Sequence, residues 1–368
     1  MSFLLVRTAT LIFGVSYVVS SLISLFSGVV HYRVGAVVSG VSLLIIMVSL
    51  NSFRIDRRLA SVIFLAFVFS FIAFINFYWS AGRSFFTVLV MLAAFGMAWS
   101  AIYFDRMFIF FELPFYGFLF LTILLVLLGY GPAEFNTVFS GYSRNGYSAI
   151  LLLFTMGYLF SRAYKGRTIS LVLLSMVVAC SVPLYGRTGI AISLILFIGS
   201  IWYRSSRLGI GLVFLIALFI GFFFSDISAY FLKSTNFSAG MESLRIEMWW
   251  DYLSRLTFID LLFGLNLNSV PIIFENGGNP HNAFFLLHSY FGLGVFLLLV
   301  FLVISFLYLI RGKHFFLLVL LFCYLARAFF DIIYLFGLFD YLVFPVLFFY
   351  VFTGDNYLKG CREVKCVA

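Results

Sequence analysis

His281 stands in the run Asn279-Pro280-His281-Asn282, directly ahead of an apolar stretch that reads as a helix. A histidine with an ordinary pKa near 6.5 can take a proton from a hydroxyl at neutral pH. At a helix N-terminus the backbone dipole disfavours the imidazolium, which keeps the ring in the form a base needs. A histidine in such a turn is also a common structural residue, and the run alone does not choose between the two. A set of guanidinium groups shifts the balance towards chemistry. They are Arg144 in Ser143-Arg144-Asn145-Gly146, Arg187 in Tyr185-Gly186-Arg187-Thr188-Gly189, Arg245, and Arg327 with Asp331 four residues on. A guanidinium grips phosphate oxygens through two parallel hydrogen bonds, which an ammonium cannot do.

The elements that must position these groups are membrane helices. Hydrophobic residues make up 64% of the 368-residue chain, charged residues only 10%, and there are 52 phenylalanines. An average globular chain carries about 25% charged residues. Apolar runs of the roughly 20 residues needed to cross a hydrocarbon core recur along the whole length. The runs are continuously apolar rather than alternating, which favours helices over a β-barrel. They predict twelve spans, near 8–30, 34–50, 59–79, 85–104, 113–130, 146–162, 168–186, 187–203, 208–224, 283–310, 315–333 and 339–353. The expectation is one integral membrane domain over 1–368. Its one large loop covers 225–281, between the ninth and tenth helices. The first apolar run lacks a small-residue cleavage site and reads as a span, not as a signal peptide.

Basic residues orient the bundle. With the N-terminus placed in the cytoplasm, one side holds fifteen basic residues, among them Arg54, Arg57, Arg58, Arg162, Lys165, Arg167, Arg311 and Lys313. The short connections of the other side hold four: Arg33, Arg83, Arg144 and Arg187. The bias predicts two cytoplasmic termini and an external large loop. The net charge of +9 is thus a topology signal rather than a nucleic-acid footprint, because it is spread over many short loops. Cys180 and Cys323 fall in helices, and Cys361 and Cys366 in the C-terminal tail. Their spacing fits no zinc pattern, so neither a disulfide nor a structural metal is expected. No internal repeat is visible, which is evidence against an inverted-repeat transporter.

Arginines on the sparsely charged side need an explanation. Arg33 and Arg83 read as side chains that snorkel to headgroups. Arg187 differs, because only 36 residues separate Arg167 from Arg204 and they must cross twice. At about 1.5 Å per residue they supply roughly 54 Å, slightly less than two crossings of a core about 30 Å thick. The turn at Gly186-Arg187-Thr188 should therefore lie at or below headgroup level, where an unpaired guanidinium is costly. Gly186 and Gly189 would let a ligand approach the backbone there. Arg327 lies roughly 20 Å up its helix from His314. It serves either an anion or an intrahelical pair with Asp331. Arg144 gains positive potential from the helix that it opens.

Within the loop, 242–253 reads as an amphipathic helix with Leu244, Trp249 or Met248, and Tyr252 on one face. Such a helix would suit the membrane interface with its tryptophans at headgroup depth. An ordinary solvated charge is the alternative reading for Arg245, Glu247 and Asp251 and the default one for Arg255. His288 should pack or hydrogen-bond two turns beyond His281. The first external turn is His31-Tyr32-Arg33 and holds no carboxylate. Membrane glycosyltransferases that depend on a metal place acidic residues there to hold Mg²⁺ or Mn²⁺ against a phosphate. Here guanidinium groups would have to do that work.

Arg245, Trp249, Leu262-Phe263-Gly264 and His281-Asn282, with Gly292 and Gly294 following, together resemble the Wzy-type O-antigen polymerase and ligase superfamily. The segment 185–189 is similar to that family's arginine turn, and 143–149 is a weaker match to an earlier segment. Arg327 with Asp331 also fits. The resemblance covers roughly 140–335, and the preceding helices match only in hydropathy. Val295 stands where the ligase form of the histidine motif has a small residue or tyrosine, which favours the polymerase. The resemblance implies an architecture like that of GT-C glycosyltransferases in a bacterial inner membrane. It further implies glycosyl transfer at the periplasmic face with no cofactor and no metal. The donor would be a glycan on undecaprenyl pyrophosphate. Arg187 and Arg245 would hold the pyrophosphate, with Arg144 and Arg327 assisting and Asp331 in support. His281 would deprotonate the acceptor and Asn282 would position it. A chain-length regulator and a flippase would be partners besides the membrane lipids. The rival readings are an O-antigen ligase acting on lipid A–core and, from another class, a lipid-linked oligosaccharide flippase or transporter.

Overall fold

The computed structural model describes residues 3–50, 57–80, 82–141, 143–184, 186–205, 211 and 244–352. The predicted span 208–224, residues 225–243 of the loop, Arg54 and the tail cysteines lie outside them. Helices dominate, and no strand occurs among the described residues. In chain order the helices are α1 (Phe3–Ser27), α2 (Val30–Leu50), α3 (Arg57–Ile75), α4 (Phe77–Ser80), α5 (Arg83–Tyr103), α6 (Ile109–Leu127), α7 (Arg144–Tyr164), α8 (Leu171–Ser181) and α9 (Arg187–Arg204). After the gap come α10 (Leu244–Ser254), α11 (Phe258–Phe263), α12 (Pro271–Glu275), α13 (Ala283–Phe291), α14 (Gly294–Arg311), α15 (Phe315–Phe330), α16 (Phe344–Leu347) and α17 (Phe349–Phe352).

Among the described residues, five helices are long and apolar enough to cross a membrane: Leu4–Ser27, Val30–Leu50, Arg83–Tyr103, Asp105–Leu127 and Gly294–Arg311. Their outward faces remain apolar. Phe64, Phe67, Phe71 and Phe74 of α3 are all exposed, as are Phe296, Val300 and Val303 of α14. Exposed apolar surface on this scale belongs in lipid rather than water. The chain is an all-α membrane protein.

Helix α7 is the centre of the bundle and is buried on every side from Gly146 to Ser161. It packs against α6, α8, α9 and α15. Small residues bring other helices together: a side chain at Gly40 would collide with Ala93, and one at Gly96 with the α2 backbone. Close approach of this kind gains dispersion energy where there is no hydrophobic drive between helices.

Several predicted elements differ from the sequence-based boundaries. The first connection is Gly28-Val29, so His31, Tyr32 and Arg33 already belong to the first turn of α2. The expected helix 283–310 is broken at Gly292-Leu293. Gly292 has φ +45, and a side chain there would strike the Leu262 carbonyl, which accepts a hydrogen bond from Leu293 N–H at 3.0 Å. The expected helix 339–353 is a chain of short pieces, with Leu335 and Phe336 at positive φ and Pro345 inside α16. Its hydrophobicity signals burial rather than a span: every residue from Phe339 to Tyr350 is buried. Helix α3 stops at Asn76, whose carboxamide donates to the Phe263 and Tyr290 carbonyls. Apolarity predicts burial in lipid or protein, and it does not predict which.

The described part of the loop is folded. Met248 and Tyr252 of α10 form a small core with Leu265, Leu267, Val270 and Ile273. Leu244, expected on the buried face, is instead exposed. The apolar face of α10 therefore covers protein, and Trp250 remains on its open side, 68% exposed.

Candidate functional site

Arg327 anchors the site. It lies in the last turn of α15 and is only 3% exposed. Its Nη2 donates to the Asn145 carbonyl at 2.7 Å and to Asp331 Oδ2 at 3.1 Å, while its buried Nε has no partner. Asp331 is not helical, since its backbone is extended and ends α15. Its other oxygen accepts the Ile332 N–H at 2.8 Å. The pair expected within one helix thus spans a helix end, and it also tethers α15 to α7.

Asn145 leads to Arg144 and Arg187. Arg144 is the first residue of α7, with its N–H bound to Asn136 Oδ1 at 2.8 Å. Arg187 is the first residue of α9, with Gly186 as its cap. A methyl group at Gly186 would touch Asn145 Oδ1, and one at Gly189 would collide with Ser148 Oγ. These glycines serve helix packing: they let the start of α9 lie directly on the start of α7. Helix α8 rises only about 16 Å over its 11 residues.

Arg245 comes from the loop. It is half-buried in α10. Burial presses its guanidinium towards the neutral form, the charge of Asp331 opposes this, and Arg327 and Arg187 act with burial. Each of these charges is near enough to be felt, so Arg187, Arg245, Arg327 and Asp331 share one locality. These four side chains carry three positive charges and one negative, because a guanidinium does not deprotonate in a protein.

His281 borders the same group. Its φ of +51 is rare for a residue with a side chain, and its N–H donates to Asn279 Oδ1 at 2.8 Å. Burial holds the imidazole below the ordinary value of 6.5, Arg245 adds to that, and Asp331 partly offsets it. A neutral, half-buried imidazole facing a cationic site is suited to accept a proton. Asn282 caps α13, its Oδ1 accepting from Phe284 N–H at 2.8 Å and Phe285 N–H at 3.2 Å, and it is 1% exposed. Its carboxamide oxygen is committed to the helix.

Two contacts that position the site are not legible from spacing. Trp249 Nε1 donates to the Pro280 carbonyl at 3.0 Å, and its ring packs edge-on against Phe329. Tyr252 Oη meets His288 Nδ1 at 2.7 Å, joining α10 to α13. Each partner lies more than 30 residues from the other, and hydropathy carries no sign of such pairings. Among the described residues, no three His, Cys, Asp or Glu side chains gather in a way that could hold a metal ion. No family model matches this chain, and no curated protein or solved structure is similar to it.

Proposed function

We propose that this chain is a membrane glycosyltransferase of the surface-polysaccharide polymerase kind. It joins repeat units carried on undecaprenyl pyrophosphate, at the periplasmic side of a bacterial inner membrane. One observation carries the reading: Arg187, Arg327 and Asp331 bear on the charge of Arg245, and Arg245 and Asp331 bear on His281, so groups from four separate segments meet. Several guanidinium groups suit a pyrophosphate, and an imidazole held in its unprotonated form beside them suits a base.

In this mechanism Arg187 and Arg245 hold the donor pyrophosphate through charge-assisted hydrogen bonds. Arg327, fixed by Asp331 and Asn145, adds to the potential, and Arg144 lies one residue from that anchor. The acceptor hydroxyl gives its proton to His281 as its oxygen bonds to the anomeric carbon. The bond from that carbon to the pyrophosphate breaks, and undecaprenyl pyrophosphate leaves with the electron pair. The Asn282 amide nitrogen, and not its capping oxygen, is the part that can orient the acceptor. Displacement in a single step inverts the anomeric centre. Guanidinium groups meet the leaving charge, so no metal is required. Cytoplasmic termini, a flippase supplying substrate and a chain-length regulator complete the reading.

Deleting the gene and separating lipopolysaccharide on a gel tests it. The expected result is core carrying a single repeat unit. Bare core with finished polymer left on its carrier would instead identify a ligase. Bare core with repeat units held inside would identify a flippase.

A further inference from the structure

A second opening lies at the same end of the bundle as the arginine cluster. It is a half-open cavity of about 260 Å³ lined by α1, α2, α5, α7, α13 and the segment after Asp331. Its walls are mainly apolar, including Leu25, Val90, Ile150, Leu286 and Phe336. Arg33, Ser21 and Ser24 break that surface at one place. Arg33 is half-buried, and its Nε donates to Ser24 Oγ at 3.2 Å, a contact that uses the inner nitrogen and not the terminal pair. Ser21, one turn away on α1, is 1% exposed, and its hydroxyl has no hydrogen-bond partner. Ser21 thus contributes to the wall, while its hydroxyl is shut away from the opening.

The cavity adjoins the site already described. Ile332, in its wall, follows Asp331 and binds its carboxylate, and Leu286 lies one turn beyond Asn282. An apolar wall broken by one guanidinium matches a hydrocarbon chain that ends in an anion. A free anion has no use for the apolar walls, and a neutral hydrocarbon has none for Arg33.

We propose that this cavity is a second lipid-phosphate site, which takes the phosphate of a carrier lipid on Arg33 and the start of its hydrocarbon chain against Val90, Leu286 and Phe336. The role of the site rests on the glycosyl-transfer reading, in which two carrier-linked substrates are present at once. The donor occupies the arginine cluster, and the acceptor's carrier occupies the cavity.

Native mass spectrometry of the purified full-length protein with farnesyl phosphate counts the sites. Wild type is expected to bind two copies. Arg33→Ala and Val90→Trp should each weaken one copy by about tenfold or more, the scale of one lost charge-assisted contact. Arg187→Ala should weaken the other copy. Arg33→Lys keeps the charge and loses the planar pair of donors, so it should fold normally and still weaken the second copy severalfold. This keeps the test decisive if Val90→Trp fails to fold. A wild type that binds one copy, lost with Arg187→Ala and kept with Arg33→Ala, overturns the proposal. Displacement of the second copy by inorganic phosphate, with farnesol unable to compete, reduces it to an anion site and also overturns it. Equal competition by dioleoyl phosphatidylglycerol would mark an ordinary phospholipid site and end the carrier assignment. Two bound copies in a protein that builds no polymer would sink the transfer reading while the cavity stands. Full-length polymer made by Val90→Trp with a single copy bound would do the reverse.

Discussion

Trp249 donates its indole N–H to the carbonyl of Pro280 at 3.0 Å, which ties the helix bearing Arg245 to the turn bearing His281. Arg245 is four residues before the tryptophan, and His281 directly follows the proline. This hydrogen bond, with the Tyr252–His288 contact, holds a proposed anion ligand near the proposed base. Trp249→Phe keeps an aromatic ring against Phe329 and removes that bond. Loss of one buried hydrogen bond, about 1 kcal/mol, corresponds to a roughly fivefold lower rate if its whole effect is on alignment. The check is single-turnover transfer by the purified protein, with a melting curve to show that folding is kept.

The pH dependence has a defined sign. Burial and Arg245 hold His281 below its ordinary value of 6.5, so the base stays neutral into mildly acidic solution. Activity should fall only as pH drops through that depressed value, where the imidazole takes up a proton. Arg245→Gln removes a charge that disfavours imidazolium, so the acid limb should move to higher pH. Asp331→Asn removes the opposing charge and should move it to lower pH. Rate profiles of the three proteins decide this, and an acid limb that stays in place in both variants removes His281 as the titrating base.

Anion binding and proton transfer should separate by mutation. Arg187→Lys keeps the charge but loses the planar pair of donors, so donor affinity should drop. His281→Ala should leave the donor bound and slow turnover by roughly 10²–10⁴-fold. Donor binding and chain elongation, measured on the same preparations, make the comparison. Near-normal elongation by His281→Ala would show that the histidine is structural.

Arg327 is expected to matter for the fold as well as the chemistry. Its side chain is 4% exposed and that of Asp331 14%, so the ion pair is poorly solvated. Arg327→Leu strands the carboxylate and frees the Asn145 carbonyl. Breaking a buried pair from one side costs about 3–5 kcal/mol. A clear fall in melting temperature in detergent is expected. Arg327→Leu combined with Asp331→Leu should recover part of it, because no unpaired charge then remains.

Orientation can be read with reporter fusions. Alkaline phosphatase joined after residue 240 should be active, and joined after 165 or 312 it should be inactive. Phosphatase activity at 312 would overturn the external placement of the site.

The membrane class, the helical architecture and a short roster of candidate residues are all legible in the sequence, for physical reasons. A chain with 10% charged residues and recurrent apolar runs can satisfy its backbone in lipid only as helices or a closed barrel, and continuous runs select helices. Arginines on the sparsely charged side stand out because burying an unpaired guanidinium is expensive. Tertiary structure alone decides what those residues meet. The carbonyl that receives Arg327 belongs to Asn145, 182 residues away, and Tyr252 reaches His288 across 36. Hydropathy cannot separate burial in lipid from burial in protein, so the run 339–353 reads as a span, whereas 339–350 are instead a buried, broken segment. Nor can it foresee the break at Gly292, which depends on the approach of the Leu262 carbonyl from another part of the chain. The cavity beside Arg33 is the last case. Its walls come from six segments, and a void between helices leaves no mark on the periodicity of any one of them.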